Sequence, residues 1–424
     1  MSINIKETVE KMGEDALIAS RHLSDLSSDQ KNKILLSMAT QLLIDCDVII
    51  EANDLDVAAA KENGLSSAMV DRLDLNQSRI EAMANGIKQV ASLSDPVGEI
   101  MDDWQRPNGM NIKQIRVPIG VIGIIFESRP NVTSDAAVLC LKTGNATILR
   151  GGKESINSNL AIAKSLQMGG ERAGLPENSI QLIPFTDRES VQHLAEMDQF
   201  LDLIIPRGGA GLIEAVVSMA RMPVIKHYDG ICHTYIDSDC DIKMARDIVV
   251  DAKTQKPSVC NALETLLVAE SIAMDFLPLI GKDLIAKGVE IRADKQSSTL
   301  LGIDSVPASN EDWVTEYLDL ILSIKVVSDI HEAIDHINEY GSHHSDCIVT
   351  ESVDNAELFM KRIDSATVFW NVSTRFSDGE EFGFGAEIGI STDKLHARGP
   401  MALRELTSYK YLIKGSGQTK SKMA

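Results

Sequence analysis

The sequence predicts an α/β protein made of two doubly wound α/β units in series. Three observations carry that expectation. Strand-like apolar runs alternate with helix-length runs twice over, first across residues 121–225 and again across 242–370. The strand runs are apolar throughout, as in parallel sheets covered on both faces. The 424 residues, 44% apolar and 24% charged, supply more than one hydrophobic core.

Each element follows from its own pattern. Residues 1–92 read as helical, with Ile34, Leu35, Met38, Leu42 and Leu43 at helical spacing and Gly64 as a stop. Residues 95–109 carry Pro96, Gly98, Pro107 and Gly109 and read as a loop. The first alternating series follows, with strands at 121–126, 146–149, 180–183, 201–205 and 224–225 and helices near 134–142, 158–168, 188–197 and 210–220. The second has helices near 242–253, 274–287, 330–338 and 353–362. Its strands fall at 265–269, 289–292, 320–327, 347–350 and 366–370. Two such units predict a cleft, with ligands at the carboxyl ends of the strands.

Composition excludes several functions. The net charge is 41 − 62 = −21, opposite to what tracking a phosphate backbone or an anionic membrane requires. Residues 1–13 have no signal-peptide core, and the longest apolar run, 117–126, is too short to span a bilayer. Six scattered cysteines form no CxxC pair, which predicts reduced thiols and a cytoplasmic location. No metal is expected: His343 and His344 are adjacent, with no further ligand cluster at metal spacing.

Four segments could carry chemistry. Pro206-Arg207-Gly208-Gly209-Ala210-Gly211 joins an apolar strand to a helix, the setting in which backbone N–H groups hold an anion; the plain alternative is a turn. Lys153, just past a strand, can reach a ribose or a phosphate, or can be a solvated loop lysine. Ile156 stands where an acid would grip a ribose 2′-hydroxyl and repel a 2′-phosphate. Asn131, in Glu-Ser-Arg-Pro-Asn-Val, is either a helix cap or an amide donor to an oxyanion. Among the thiols, Cys260 is favoured as a nucleophile because it sits in the polar loop Lys256-Pro257-Ser258-Val259-Cys260-Asn261. Cys140 and Cys347 read as core, while Cys232 and Cys240 remain minor candidates.

Together, the stretches 117–158, 206–211, 257–265, 327–348 and 384–407 resemble the gamma-glutamyl phosphate reductase family of the aldehyde dehydrogenase superfamily, in order and over nearly the whole chain. The resemblance implies Cys260 as the nucleophile and Asn131 as the oxyanion amide. It implies cofactor binding by Lys153, Arg207, Gly208, Gly209, Gly211 and Glu316. NADP(H) is the implied cofactor. The activity implied is reduction of L-glutamyl 5-phosphate to L-glutamate 5-semialdehyde, the second step of proline biosynthesis, with glutamate 5-kinase as pathway neighbour. For a substrate bearing a carboxylate and a phosphate, candidate binders are Arg129, Arg375 and Arg398, each equally readable as a surface ion pair, and His227.

Where hydrolytic aldehyde dehydrogenases carry a general-base glutamate, Lys226-His227-Tyr228-Asp229-Gly230-Ile231-Cys232 has none. An acyl group passed to phosphate needs no base to activate water. A CoA-acylating aldehyde dehydrogenase lacks that base too and is the main alternative. A thiol acyltransferase or hydrolase without nicotinamide and a non-catalytic scaffold are more distant ones. The resemblance further implies an aldehyde dehydrogenase-like architecture. It would comprise an NADP-binding domain (1–109 and 118–229), a catalytic domain (230–397) and a small bridging and oligomerisation element (110–117 and 398–415). A homo-oligomer completes it, and the small and polar residues after Gly415 read by themselves as a disordered tail (416–424).

Overall fold

The computed structural model describes residues 4–226 and 228–420, apart from the side chain of Ala68. His227 and residues 421–424 of the expected tail lie outside the described residues. The chain divides into two compact units. One takes the chain up to Lys226, Phe384–Gly389 and the residues from Met401 onward; the other takes the intervening residues to Gly383 and Ile390–Pro400.

The first unit opens with five helices, α1 (Ile5–Ser24), α2 (Ser28–Ile44), α3 (Cys46–Glu62), α4 (Ser67–Leu73) and α5 (Gln77–Ser92). Four of them, all but α3, start on a side-chain cap, such as the Ser27–Gln30 capping box of α2. Next come β1 (Ile100–Gln105), β2 (Asn111–Pro118), β3 (Val121–Phe126), α6 (Asn131–Lys142), β4 (Ala146–Arg150) and α7 (Ile156–Ala173). The series ends with β5 (Ile180–Leu182), α8 (Arg188–Glu196), β6 (Leu203–Arg207) and α9 (Ala210–Met219). Strands β3 to β6 form a parallel sheet in the order β5-β4-β3-β6. Every residue of β3 and β4 is buried, as the apolar or small character of all but Arg150 at the end of β4 predicts.

The second unit runs through β7 (Cys232–Ile236), α10 (Ile242–Thr254), β8 (Leu263–Ala269), α11 (Glu270–Ala286), β9 (Glu290–Ala293) and α12 (Lys295–Leu301). It continues with β10 (Val306–Pro307), β11 (Ile321–Val327), α13 (Ile330–Tyr340), β12 (Ser345–Val349), α14 (Val353–Arg362) and β13 (Thr367–Trp370). Its seven-stranded parallel sheet has the order β10-β9-β11-β8-β7-β12-β13. Tyr235, Val249, Leu266, Phe276, Ile324 and Ile348 lie in one core around it. Short strands β14 (Gly389–Ser391) and β15 (Gly399–Met401) pair as a ribbon. The last strand, β16 (Thr407–Lys414), completes an antiparallel sheet β1-β2-β16 in the first unit.

Three expectations are corrected. The segment 95–109 is not all loop, because Ile100–Gln105 pairs with Asn111–Ile115 around the turn at Gly109. Residues 224–225 make only an isolated bridge from Val224 to Ile204. The tail is anchored at its start, where Gln418 Nε2 donates to Asn108 O at 2.9 Å.

Candidate functional site

In the first unit the expected residues converge on the carboxyl ends of neighbouring strands β3, β4 and β6, where ligands of α/β sheets sit. After β3 the chain turns through Ser128, a non-glycine residue at φ 47°, and enters α6. After β4 it passes Gly151 and Gly152 to exposed Lys153, which opens a short 3₁₀ turn. After β6 it reaches Gly208 and Gly209, and Gly209 is the N-cap residue of α9.

Carboxylates that the sequence reading passed over tie these turns together. Glu127 donates its N–H to Arg207 O at 3.1 Å, and its Oε2 accepts the Gly209 N–H at 3.0 Å. A Cβ on Gly208 would meet that same carboxylate and the end of Leu212, so a larger residue at 208 would push the Glu127 side chain off this contact. Glu154 Oε1 accepts both the N–H and the Oγ–H of Ser128, each at 2.7 Å. Gly209 and Gly211 face open space. Arg129 is exposed.

Asn131 occupies the first position of α6, with Pro130 at the cap, so its side chain is not the helix cap. Its Nδ2 donates instead to Asp135 Oδ2 at 2.8 Å, one turn on. Desolvation pushes the Asp135 carboxyl up to about 6, against the pull of the Asn131 amide and the Arg207 charge. The Asn-x-x-x-Asp spacing was visible in the sequence as a helical i,i+4 pair.

In the second unit, half-buried Cys260 lies on the turn between α10 and β8. Gly230 packs against its backbone so closely that a Cβ there would collide with the Cys260 carbonyl. Glu316 Oε1 accepts the Gly230 N–H at 2.9 Å. Burial pushes the Glu316 carboxyl up, the Gly230 N–H draws it down, and the nearby Asp229 adds to the rise. Cys232 Sγ, buried on β7, donates to Cys260 O at 3.2 Å and stands 3.8 Å from His344 Nδ1. Asn261 Nδ2 fastens the next residue by donating to Ser377 O at 2.9 Å.

Burial separates the thiols. It holds Cys232 well above the usual thiol range, pushes Cys140 and Cys347 up to about 12 and Cys240 to about 11, and raises Cys46. Cys232 and Cys240 are therefore poor nucleophiles. Two of the candidate arginines are engaged elsewhere. Arg398 Nη2 donates to Asp364 Oδ1 at 2.9 Å, and Arg375 Nε to Gln255 Oε1 at 3.0 Å.

One sheet carries a glycine turn and a lysine at its strand ends and the other carries a thiol loop, the parts expected of a nicotinamide-dependent oxidoreductase of the aldehyde dehydrogenase type. The family model described as the aldehyde dehydrogenase family matches residues 3–302, and the chain belongs to that family. Within it, the chain stands among the gamma-glutamyl phosphate reductases. It is 55% identical over 406 residues to the protein of that name from Clostridium beijerinckii, covering 96% of this chain and 98% of the relative. It is 54% identical to the one from Caldanaerobacter subterraneus subsp. tengcongensis, covering 97% and 99%. The crystal structure of gamma-glutamyl phosphate reductase from Thermotoga maritima superposes with a TM-score of 0.96 at 45% identity, covering 97% and 99%. An acetylating aldehyde dehydrogenase from Geobacillus thermoglucosidasius, 19% identical with a TM-score of 0.68 and 98% of each chain covered, shares the fold.

Proposed function

We propose that this protein reduces L-glutamyl 5-phosphate to L-glutamate 5-semialdehyde, with release of phosphate, through a thioester on Cys260. The observation that carries the reading is the 55% identity over nearly the whole chain to a protein named gamma-glutamyl phosphate reductase. Cys260 attacks the acyl carbon as thiolate and phosphate leaves. Asn131 Nδ2 and the Cys260 backbone N–H hold the oxyanion. After reduction, the thiohemiacetal carbon–sulfur bond breaks, the semialdehyde departs and Cys260 is free again. With no glutamate in 226–232 to activate water, the thioester waits for reductant rather than being hydrolysed.

The donor set suits a phosphate-bearing dinucleotide. Lys153 is exposed at a strand end, Ile156 replaces the acid that would repel a 2′-phosphate, and Gly209 and Gly211 leave room over the start of α9. Lys153, Arg207 and the glycine turn would hold NADPH, which supplies hydride when bound. Glu316 is a further proposed cofactor-binding residue, once it releases Gly230. Arg129 is the proposed substrate cation, and Arg375 and Arg398 would join it only by leaving Gln255 and Asp364. The enzyme is placed in the cytoplasm, downstream of glutamate 5-kinase, as a homo-oligomer; its six cysteines are free thiols. Among the described residues no helix is long and apolar enough to cross a membrane.

The test is NADP⁺ reduction by glutamate semialdehyde, run with phosphate, with CoA and with neither. Phosphate-dependent turnover that Cys260→Ala abolishes is expected, with circular dichroism unchanged. Turnover requiring CoA would instead identify a CoA-acylating enzyme, and turnover retained by the variant would remove Cys260 from the reaction.

A further inference from the structure

We propose that Asp135 is a positioning residue for the reaction: its carboxylate fixes which end of the Asn131 amide faces the acyl oxygen. The inference rests on the reading of Asn131 as the oxyanion donor and deepens it.

The two ends of an asparagine amide have nearly the same shape and opposite hydrogen-bonding character. Turned one way, Asn131 offers an N–H to a developing oxyanion. Turned the other way, it offers a carbonyl oxygen, which repels it. Nothing in an isolated amide at a helix start chooses between them. Asp135 does choose. It lies one helical turn on, with Oδ2 2.8 Å from Asn131 Nδ2. A carboxylate only accepts, so only the NH₂ end can face it. One N–H is thereby committed to Asp135, and among the described residues the second takes no partner. That second N–H lies in the fixed amide plane and is available for a ligand oxygen.

The surroundings keep this arrangement in force. Asp135 is densely enclosed by protein, although part of its surface stays accessible. Enclosure pushes its carboxyl up to about 6, opposed by the Asn131 amide and by Arg207 at the end of β6. The group is consequently still a carboxylate at neutral pH. The Arg207 guanidinium lies in the space a side chain at Gly389 would fill. The cation of the glycine turn thus adds to the Asn131 amide in opposing the rise of the orienting carboxyl.

A double-mutant cycle on kcat of the phosphate-dependent reaction tests this. N131A is expected to lower kcat about 10²–10³-fold, the usual cost of one oxyanion donor. D135A should lower kcat about 10–10²-fold while leaving KM for NADP⁺ within about twofold, since only orientation is lost. The double variant should be no slower than N131A, because no amide remains to orient. D135N preserves the shape of the helix and guards against a folding failure. It is expected to lose about tenfold, because an amide in place of the carboxylate accepts either end of Asn131. D135A and D135N at wild-type kcat, with N131A impaired, would overturn the proposal alone. So would a double variant slowed by the full product of the single losses, which marks a merely structural role. N131A at wild-type kcat would overturn the oxyanion reading and this proposal together.

Discussion

The Cys260 loop leans on a residue with no side chain. Any Cβ at position 230 runs into the Cys260 carbonyl, so the loop must move to admit one. Gly230→Ala is therefore expected to destabilise the protein by about 1–3 kcal/mol, as overpacking does. It should also cut kcat at least tenfold, beyond what thermal destabilisation explains at assay temperature. A variant with normal kcat and a lowered melting temperature would detach Gly230 from the nucleophile. For Lys153, exposed and at a strand end, Lys153→Ala should raise KM for NADP⁺ about tenfold with kcat within about threefold; the reverse pattern argues against cofactor binding. What could be read from residues alone divides along this line. Cys260, Lys153 and the glycine turn announce themselves by type and by setting between a strand and a helix. Glu127, Glu154 and Gly230 do not, because their roles arise from what another turn brings within 3.0 Å of them. Only Asn131–Asp135, a pair within one helix, had a spacing that could have exposed it.

Elements depend on partners distant in sequence for the same reason. Helix α7 starts at Ile156 without a side-chain cap from its own Ser155. Asp56, buried on α3, does the capping from a hundred residues away. It accepts the Ser158 N–H at 2.7 Å and Oγ–H at 2.6 Å, and the Asn157 Nδ2 at 2.8 Å. Asp56→Ala leaves the buried N–H and Oγ–H of Ser158 without an acceptor and should cost about 2–4 kcal/mol in urea unfolding. A loss under 1 kcal/mol would show that water replaces the carboxylate. On α13, burial pushes the His336 imidazole down to about 3, aided by His233 and Lys325 and opposed by Glu332. Lys325 Nζ stands 3.5 Å from its Nδ1. The unfolded chain accepts a proton at the usual 6.5, whereas the folded unit refuses it until about 3. Stability from this group is thus full above about pH 6.5 and is lost progressively as pH falls toward 3. Melting temperatures of the wild type should drop between pH 6.5 and 4.5 more steeply than those of His336→Gln; parallel curves would assign the acid sensitivity to other groups. Most parallel strands were legible as apolar runs, but β7, with His233 and Thr234 in Cys-His-Thr-Tyr-Ile, and the two-residue β10 were not, and neither was β1. Its Ile-Met-Asp-Asp-Trp-Gln has almost no buried position, so neither burial pattern nor composition marks it as a strand before its partner β2 is known.

At the scale of the whole molecule, the net charge of −21 sits oddly with an open apolar surface in the first unit. In the sheet β1-β2-β16, Tyr409, Tyr411 and Ile413 alternate along β16 and share a face. Ile413 pairs across the sheet with Ile112, and Ile112 with Trp104, while Trp104 and Tyr411 meet edge to face at 6.2 Å. Tyr411 and Ile413 are 53% and 62% exposed, far from the burial their chemistry favours. Strand β16 is also an outer strand, with one row of backbone groups unpaired in its sheet. A chain this acidic repels copies of itself over most of its surface, so self-association requires a patch where aromatic and aliphatic contacts outweigh charge. The β16 face is such a patch, and the proposed homo-oligomer would be built through it. Ile413→Asp places a carboxylate in that face and lies outside both strand-end sites. Sedimentation velocity should show the variant shifted from the wild-type oligomer toward monomer, with each unit's circular dichroism retained. A variant that sediments as the wild type does would move the oligomer interface to another surface, and a wild type that is monomeric at micromolar concentration would remove it altogether.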